Sequence, residues 1–65
     1  MTFDWLRDGT TYTLTVVGRG KATIIPKRGE WLLVVARDGG KTDYLFGRSV
    51  EGLQATAEER LGAGR

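Results

Sequence analysis

Tyr12, Leu14 and Val16 alternate with threonines through residues 10–17, and this two-residue apolar period marks a strand with one face on a core and the other toward water. Gly18-Arg19-Gly20 follows as a turn whose glycines accept positive φ, and Lys21-Ala22-Thr23-Ile24-Ile25 returns as a second strand. Pro26 cannot donate to a ladder and is expected to stop that strand. After the turn Lys27-Arg28-Gly29 the pattern changes. In the segment 30–36, Leu32, Val34 and Ala36 fall on one face while Trp31, Leu33 and Val35 fall on the other. A strand with one wet face alternates apolar and polar residues, so this segment is expected to lie centrally or to be covered on both sides. Asp38-Gly39-Gly40 reverses the chain, and residues 42–46 form a further strand with Tyr44 and Phe46 on one face and Leu45 on the other.

From Ser49 onward the period lengthens to that of a helix. Val50, Leu53, Ala57 and Leu61 recur every three to four residues, Ser49 is placed as N-cap, and Glu51 sits in the first turn, where the helix dipole favours negative charge. Gly52 weakens that first turn and occupies the position where a capping box would carry Glu. Gly62 is expected to close the helix in a left-handed conformation, leaving 62–65 as a frayed tail. The expected fold is therefore α+β, a single domain over 1–65. It is a four-stranded antiparallel β-meander (10–17, 21–25, 30–36, 42–46) with one C-terminal α-helix (50–61) packed on one face.

One helix covers one face of such a sheet, so the second apolar face needs an occupant. Phe3, Trp5 and Leu6 can fold back as a lid or as an extra edge strand, a second copy can complete the core as a homodimer, or the face can be a recognition surface. Chain length sharpens the question. A chain of 65 residues buries only about 60% of the surface it exposes when unfolded, so each apolar side chain matters.

Composition bounds the chemistry. There is no cysteine for a disulfide or a thiolate metal site, which makes a cytoplasmic setting the expectation. No basic leader followed by an apolar stretch opens the chain, and no apolar run approaches the ~20 residues of a membrane span. There is no histidine to move protons near neutral pH, and the single serine, Ser49, is explained as a cap. Glu58 and Glu59 are adjacent on a helix and point apart, which suits a solvated face better than paired acid–base work. Asp38-Gly39-Gly40-Lys41-Thr42-Asp43 lacks calcium-loop spacing, and Gly18-Arg19-Gly20-Lys21 lacks the helix N-terminus a phosphate loop needs. No enzyme activity, cofactor, metal or small-molecule substrate is expected.

Binding remains. Ten basic residues against eight acidic ones give a net charge of +2, which permits nucleic-acid contact without demanding it. Arg19, Lys21, Lys27 and Arg28 fall in ten residues free of acids, and Arg37, Lys41 and Arg48 extend the positive region, although these side chains also suit charged edges and turns that block aggregation. For a protein partner or self-association, Trp5, Tyr12, Trp31, Leu33 and Tyr44 are the candidate interface residues, with core packing as the alternative role.

The runs Gly29-Glu30-Trp31-Leu32-Leu33-Val34-Val35, Asp38-Gly39-Gly40-Lys41, Phe46 and Ser49-Val50-Glu51-Gly52-Leu53-Gln54-Ala55 resemble the strand, turn, strand, helix pattern of the arm-binding domains of phage integrases and of AP2-type domains. The pattern is also similar to that of small phage and mobile-element proteins with a Trp strand and an alanine-rich terminal helix. The resemblance spans half the chain. It implies a three-stranded sheet on the DNA major groove with the helix behind it. In those families the outer sheet face is rich in Arg and aromatic residues, whereas segment 30–36 offers Glu30 and apolar side chains. The sequence reading therefore puts a non-enzymatic binding module, phage or mobile-element encoded, first. Its apolar sheet face would engage a protein, such as a host nuclease or polymerase, or a second copy. DNA binding through a basic sheet face and turns is the alternative.

Overall fold

The computed structural model describes residues 3–62. Five strands run in chain order across one antiparallel sheet: β1 (Trp5–Asp8), β2 (Thr11–Val16), β3 (Gly20–Lys27), β4 (Glu30–Arg37) and β5 (Thr42–Gly47). Helix α1 (Val50–Gly62) packs against β3, β4 and β5. The α+β class, the meander and the terminal helix agree with the sequence pattern. The strand count is corrected from four to five, because Trp5–Asp8 joins the sheet edge beside β2, with Trp5 opposite Leu14 and Asp8 opposite Thr11. The two-residue turn between them puts Gly9 at φ +63°, in the first position, where a II′ hairpin wants glycine. Trp5 and Leu6 thus form the extra edge strand, whereas Phe3 precedes it and packs against Gly62 of the helix, and none of the three covers the second apolar face.

Two further expectations need correcting. Pro26 does not stop β3, which continues to Lys27 with Pro26 opposite Trp31. Pairing with β2 has already ended at Ile24, so Pro26 lies on a part of β3 with a strand on one side only, where a missing N–H is tolerated. Gly62 is not left-handed. It is the last residue of α1, and its lack of a Cβ makes room for the Phe3 ring, whose Cζ lies 2.5 Å from where a Cβ would be. The rest of the expected tail, 63–65, falls outside the described residues.

Turn chemistry sets the register. Arg28 (φ +52°) and Gly29 (φ +83°) form a two-residue turn between Lys27 and Glu30, both in the left-handed region that a type I′ hairpin requires. Gly18 (φ +81°) turns β2 into β3, with the Arg19 N–H donating to the Val16 carbonyl at 2.9 Å. The Asp38 N–H donates to the Arg19 carbonyl at 2.8 Å, which ties this hairpin tip to the β4–β5 turn.

Side chains alternate strictly, so the register sorts the sheet into two faces. Leu14, Ala22, Ile24, Leu33 and Val35 point toward α1 and form the core with Leu53, Ala57 and Leu61. The helix comes close because small residues sit beneath it: Leu53 lies against Gly47, and Leu61 against Gly20. Ser49 caps α1 as expected, with its Oγ accepting from the Gly52 N–H at 3.1 Å and its carbonyl accepting from the Leu53 N–H at 3.1 Å. Trp5 Nε1–H donates to Glu58 Oε2 at 2.8 Å, so Glu58 tethers the first strand to the helix instead of facing only water.

Candidate interaction surface

The opposite face of the sheet is built from the second set of alternating residues. One row across the strands reads Leu6, Thr13, Thr23, Val34, Tyr44; the next reads Ile25, Leu32, Phe46; and Thr15, Lys21, Ala36, Thr42 flank them. None of the described elements lies across this face. Leu6, Tyr44 and Phe46 are 72%, 66% and 58% exposed, while Leu32, between Ile25 and Phe46 in its row, is screened to 9%. β4 is thus interior to the sheet, as its two apolar faces require, but only its Trp31-Leu33-Val35 side is covered by the chain itself.

Of the five residues expected at a protein interface, only Tyr44 is on this open face. Leu33 is fully buried beneath the helix. Tyr12 and Trp31 meet edge to face on the helix side, with ring centroids 6.0 Å apart and planes at 71°, and the Arg7 guanidinium carbon lies 5.7 Å from the Tyr12 ring centre. Trp5 packs on the core and bonds Glu58. The open face instead carries Leu6, Ile25, Leu32, Val34 and Phe46, none of them among those candidates. The parity of Leu32, Val34, Tyr44 and Phe46 was readable from strand alternation, and β1 was needed to add Leu6.

The basic candidates separate into two groups at opposite ends of the strands. Arg19, Lys21, Arg37 and Lys41 lie at the end carrying the β2–β3 and β4–β5 turns; Lys27, Arg28 and Arg48 lie at the end carrying the β3–β4 turn and the entry to α1. An eight-residue strand puts about 25 Å between the two groups at 3.3 Å per residue, so they do not form one patch. Arg37 is engaged within the fold. Its guanidinium meets Asp43 Oδ2 at 3.1 Å, and Arg60 from the helix meets the same oxygen at 3.0 Å. Arg60 completes this clamp of two strands and the helix and was not a sequence candidate, since it lies 17 residues from Asp43.

Among the described residues no three His, Cys, Asp or Glu side chains gather in a metal-binding group, and no helix is long and apolar enough to cross a membrane. No family model matches the chain, and neither the curated proteins nor the solved structures yield a match.

Proposed function

We propose that this chain is a non-enzymatic, cytoplasmic binding module that engages another polypeptide, either a partner protein or a second copy, through the open face of its sheet. One observation carries the reading: Ile25, Val34, Tyr44 and Phe46 surround Leu32 in an apolar surface over β3, β4 and β5 that no described element lies across, with Leu6 standing apart on β1 beyond Thr13 and Thr23. Tyr44 and Phe46 alone expose on the order of 250 Å², and with Ile25 and Val34 beside them the patch approaches the size of the largest apolar patch on a monomer, a kind of patch that is often functional. The face is also dotted with Thr13, Thr15, Thr23 and Thr42, whose hydroxyls keep it wettable while it is free.

A second reading, contact with a polyanion such as DNA, is favoured by Arg28. An arginine held at φ +52° occupies a position where Asn, Asp or Gly costs less, and strained residues concentrate at functional sites. Salt separates the two. Phosphate contacts weaken steeply with ionic strength, whereas apolar burial is nearly indifferent to it. The test measures binding of an environment-sensitive apolar dye and of random-sequence duplex DNA between low and high salt, for the unaltered chain and for Tyr44→Ser/Phe46→Ser. The protein-binding reading expects salt-insensitive dye binding that the double substitution removes without loss of fold. Dye binding unchanged by the substitution, together with salt-sensitive DNA binding lost on neutralising Lys27 and Arg28, would reverse the order.

A further inference from the structure

The two edges of the sheet are not equally guarded. Sheet edges are usually blunted by shortness, charged side chains, proline or a bulge, because an open row of backbone N–H and C=O groups recruits another strand. β1 is short, four residues, and carries Arg7 and Asp8. β5 has only one of these devices, a single acidic side chain. It is six residues long, it pairs with β4 in unbroken register from Ala36 opposite Thr42 to Trp31 opposite Gly47, and it contains neither Lys nor Pro. Its one charged residue, Asp43, is on the helix side and is engaged by Arg37 and Arg60. Its open-face side chains are the exposed Tyr44 and Phe46.

We propose that β5 is a self-association seam. Two copies pair β5 to β5, antiparallel, about a two-fold axis at Leu45, and their sheets become continuous with both helices on one side. This deepens the open-face reading and rests on it, since the pairing places the exposed aromatics of the two copies side by side. The sequence of β5 is self-complementary about that axis. Tyr44 stands opposite Phe46 of the second copy, and the reverse, giving two aromatic cross-strand pairs on the open face. Asp43 stands opposite Gly47 of the second copy, so no like charges oppose. An axis at Tyr44 would set Thr42 against Phe46 and lose both unlike aromatic pairs. The net charge of +2 puts little repulsion between copies.

The chain has no cysteine, so single-cysteine variants report register cleanly. Directly opposed residues in an antiparallel pair lie about 4.5–5.5 Å apart at Cα, within disulfide range, whereas residues two positions off register lie about 7–8 Å apart. Sedimentation equilibrium is run from micromolar to millimolar concentration on the unaltered chain and on Phe46→Lys, with circular dichroism to confirm the fold. Separately, an equimolar mixture of Tyr44→Cys and Phe46→Cys chains is oxidised. The seam expects a reversible dimer, at least tenfold weaker in Phe46→Lys, and mixed Tyr44→Cys/Phe46→Cys disulfides in excess over like-with-like ones. A dimer that instead cross-links through Thr23→Cys or Val34→Cys, mid-face, overturns the seam and leaves the open-face reading standing. A monomer at all concentrations overturns the seam as well, and the dye experiment above then decides the open-face reading independently. Equal yields of all disulfides would also count against it.

Discussion

Gly20 is the position where a single methyl group should do the most damage. It opens β3 at φ +149°, in the half of the conformational map that L side chains rarely enter. A Cβ placed there would stand 2.3 Å from the Ala36 carbonyl oxygen, 2.8 Å from the Arg37 Cα and 3.1 Å from Leu61 Cδ2. Two of these neighbours are backbone of the adjacent strand, so no rotamer change relieves them. Gly20→Ala therefore combines backbone strain of about 1–3 kcal/mol with overpacking of about 1–3 kcal/mol, or roughly 4 kcal/mol together. Against a total stability of about 3–10 kcal/mol for a chain of 65 residues, that removes roughly 40% of the stability at the upper bound and all of it at the lower. The assay is urea and thermal unfolding followed by tryptophan fluorescence and circular dichroism. At about 4–8 °C per kcal/mol for a domain of this size, the expected fall in Tm exceeds 15 °C. A fall under 5 °C would mean that the β2–β3 turn and β4 are not packed against one another as described.

The remaining expectations use the same unfolding measurements. Gly52→Ala should raise stability by about 0.5–1 kcal/mol, because the added Cβ meets only Ser49 atoms at 3.6 and 3.7 Å and the helix gains a better former; a loss would show that the first turn is not helical. Arg28→Asn should also stabilise, by about 0.5–1 kcal/mol, since Asn is the favoured residue at that turn position, and a destabilisation would place the Arg28 side chain in a structural contact. Leu33→Ala should cost about 2–5 kcal/mol as a truncation in the sealed core, whereas Tyr44→Ala, on the open face, should cost under about 1 kcal/mol; similar costs for both would require the two faces to be equally covered. Ser49→Ala should cost about 1 kcal/mol through loss of the cap on the Gly52 N–H.

What the sequence made legible was what periodicity carries. Alternation placed β2 to β5 and their parity, the doubled apolar pattern of 31–35 put β4 inside the sheet, and the 3.6-residue stripe with Ser49 ahead of it placed the helix. β1 stayed open between a lid and an edge strand because four residues are too few for a period to show, although Asp8-Gly9 before Thr10 suits a hairpin turn. Which face the helix would choose was also hidden, since both sides of β4 are apolar. The choice follows from Gly20, Ala22 and Gly47, small residues that share the Leu33 side and let the helix descend onto the sheet. Trp5, Tyr12 and Trp31 have the side chains typical of interface hot spots, but that parity assigned them to the core, and the open surface was left to plainer residues.

The contacts of Trp5 with Glu58 and of Phe3 with Gly62 join residues more than fifty positions apart, whereas each strand of the meander pairs with its immediate neighbour in the chain. Neighbouring hairpins close short loops, while these two latches close nearly the whole chain, which is the slowest kind of contact for a polymer to find. The Trp5 indole is therefore a built-in clock for the last event of assembly. With Trp31 replaced by Phe, the emission of Trp5 alone would time the moment at which the helix and the opening strand lock together.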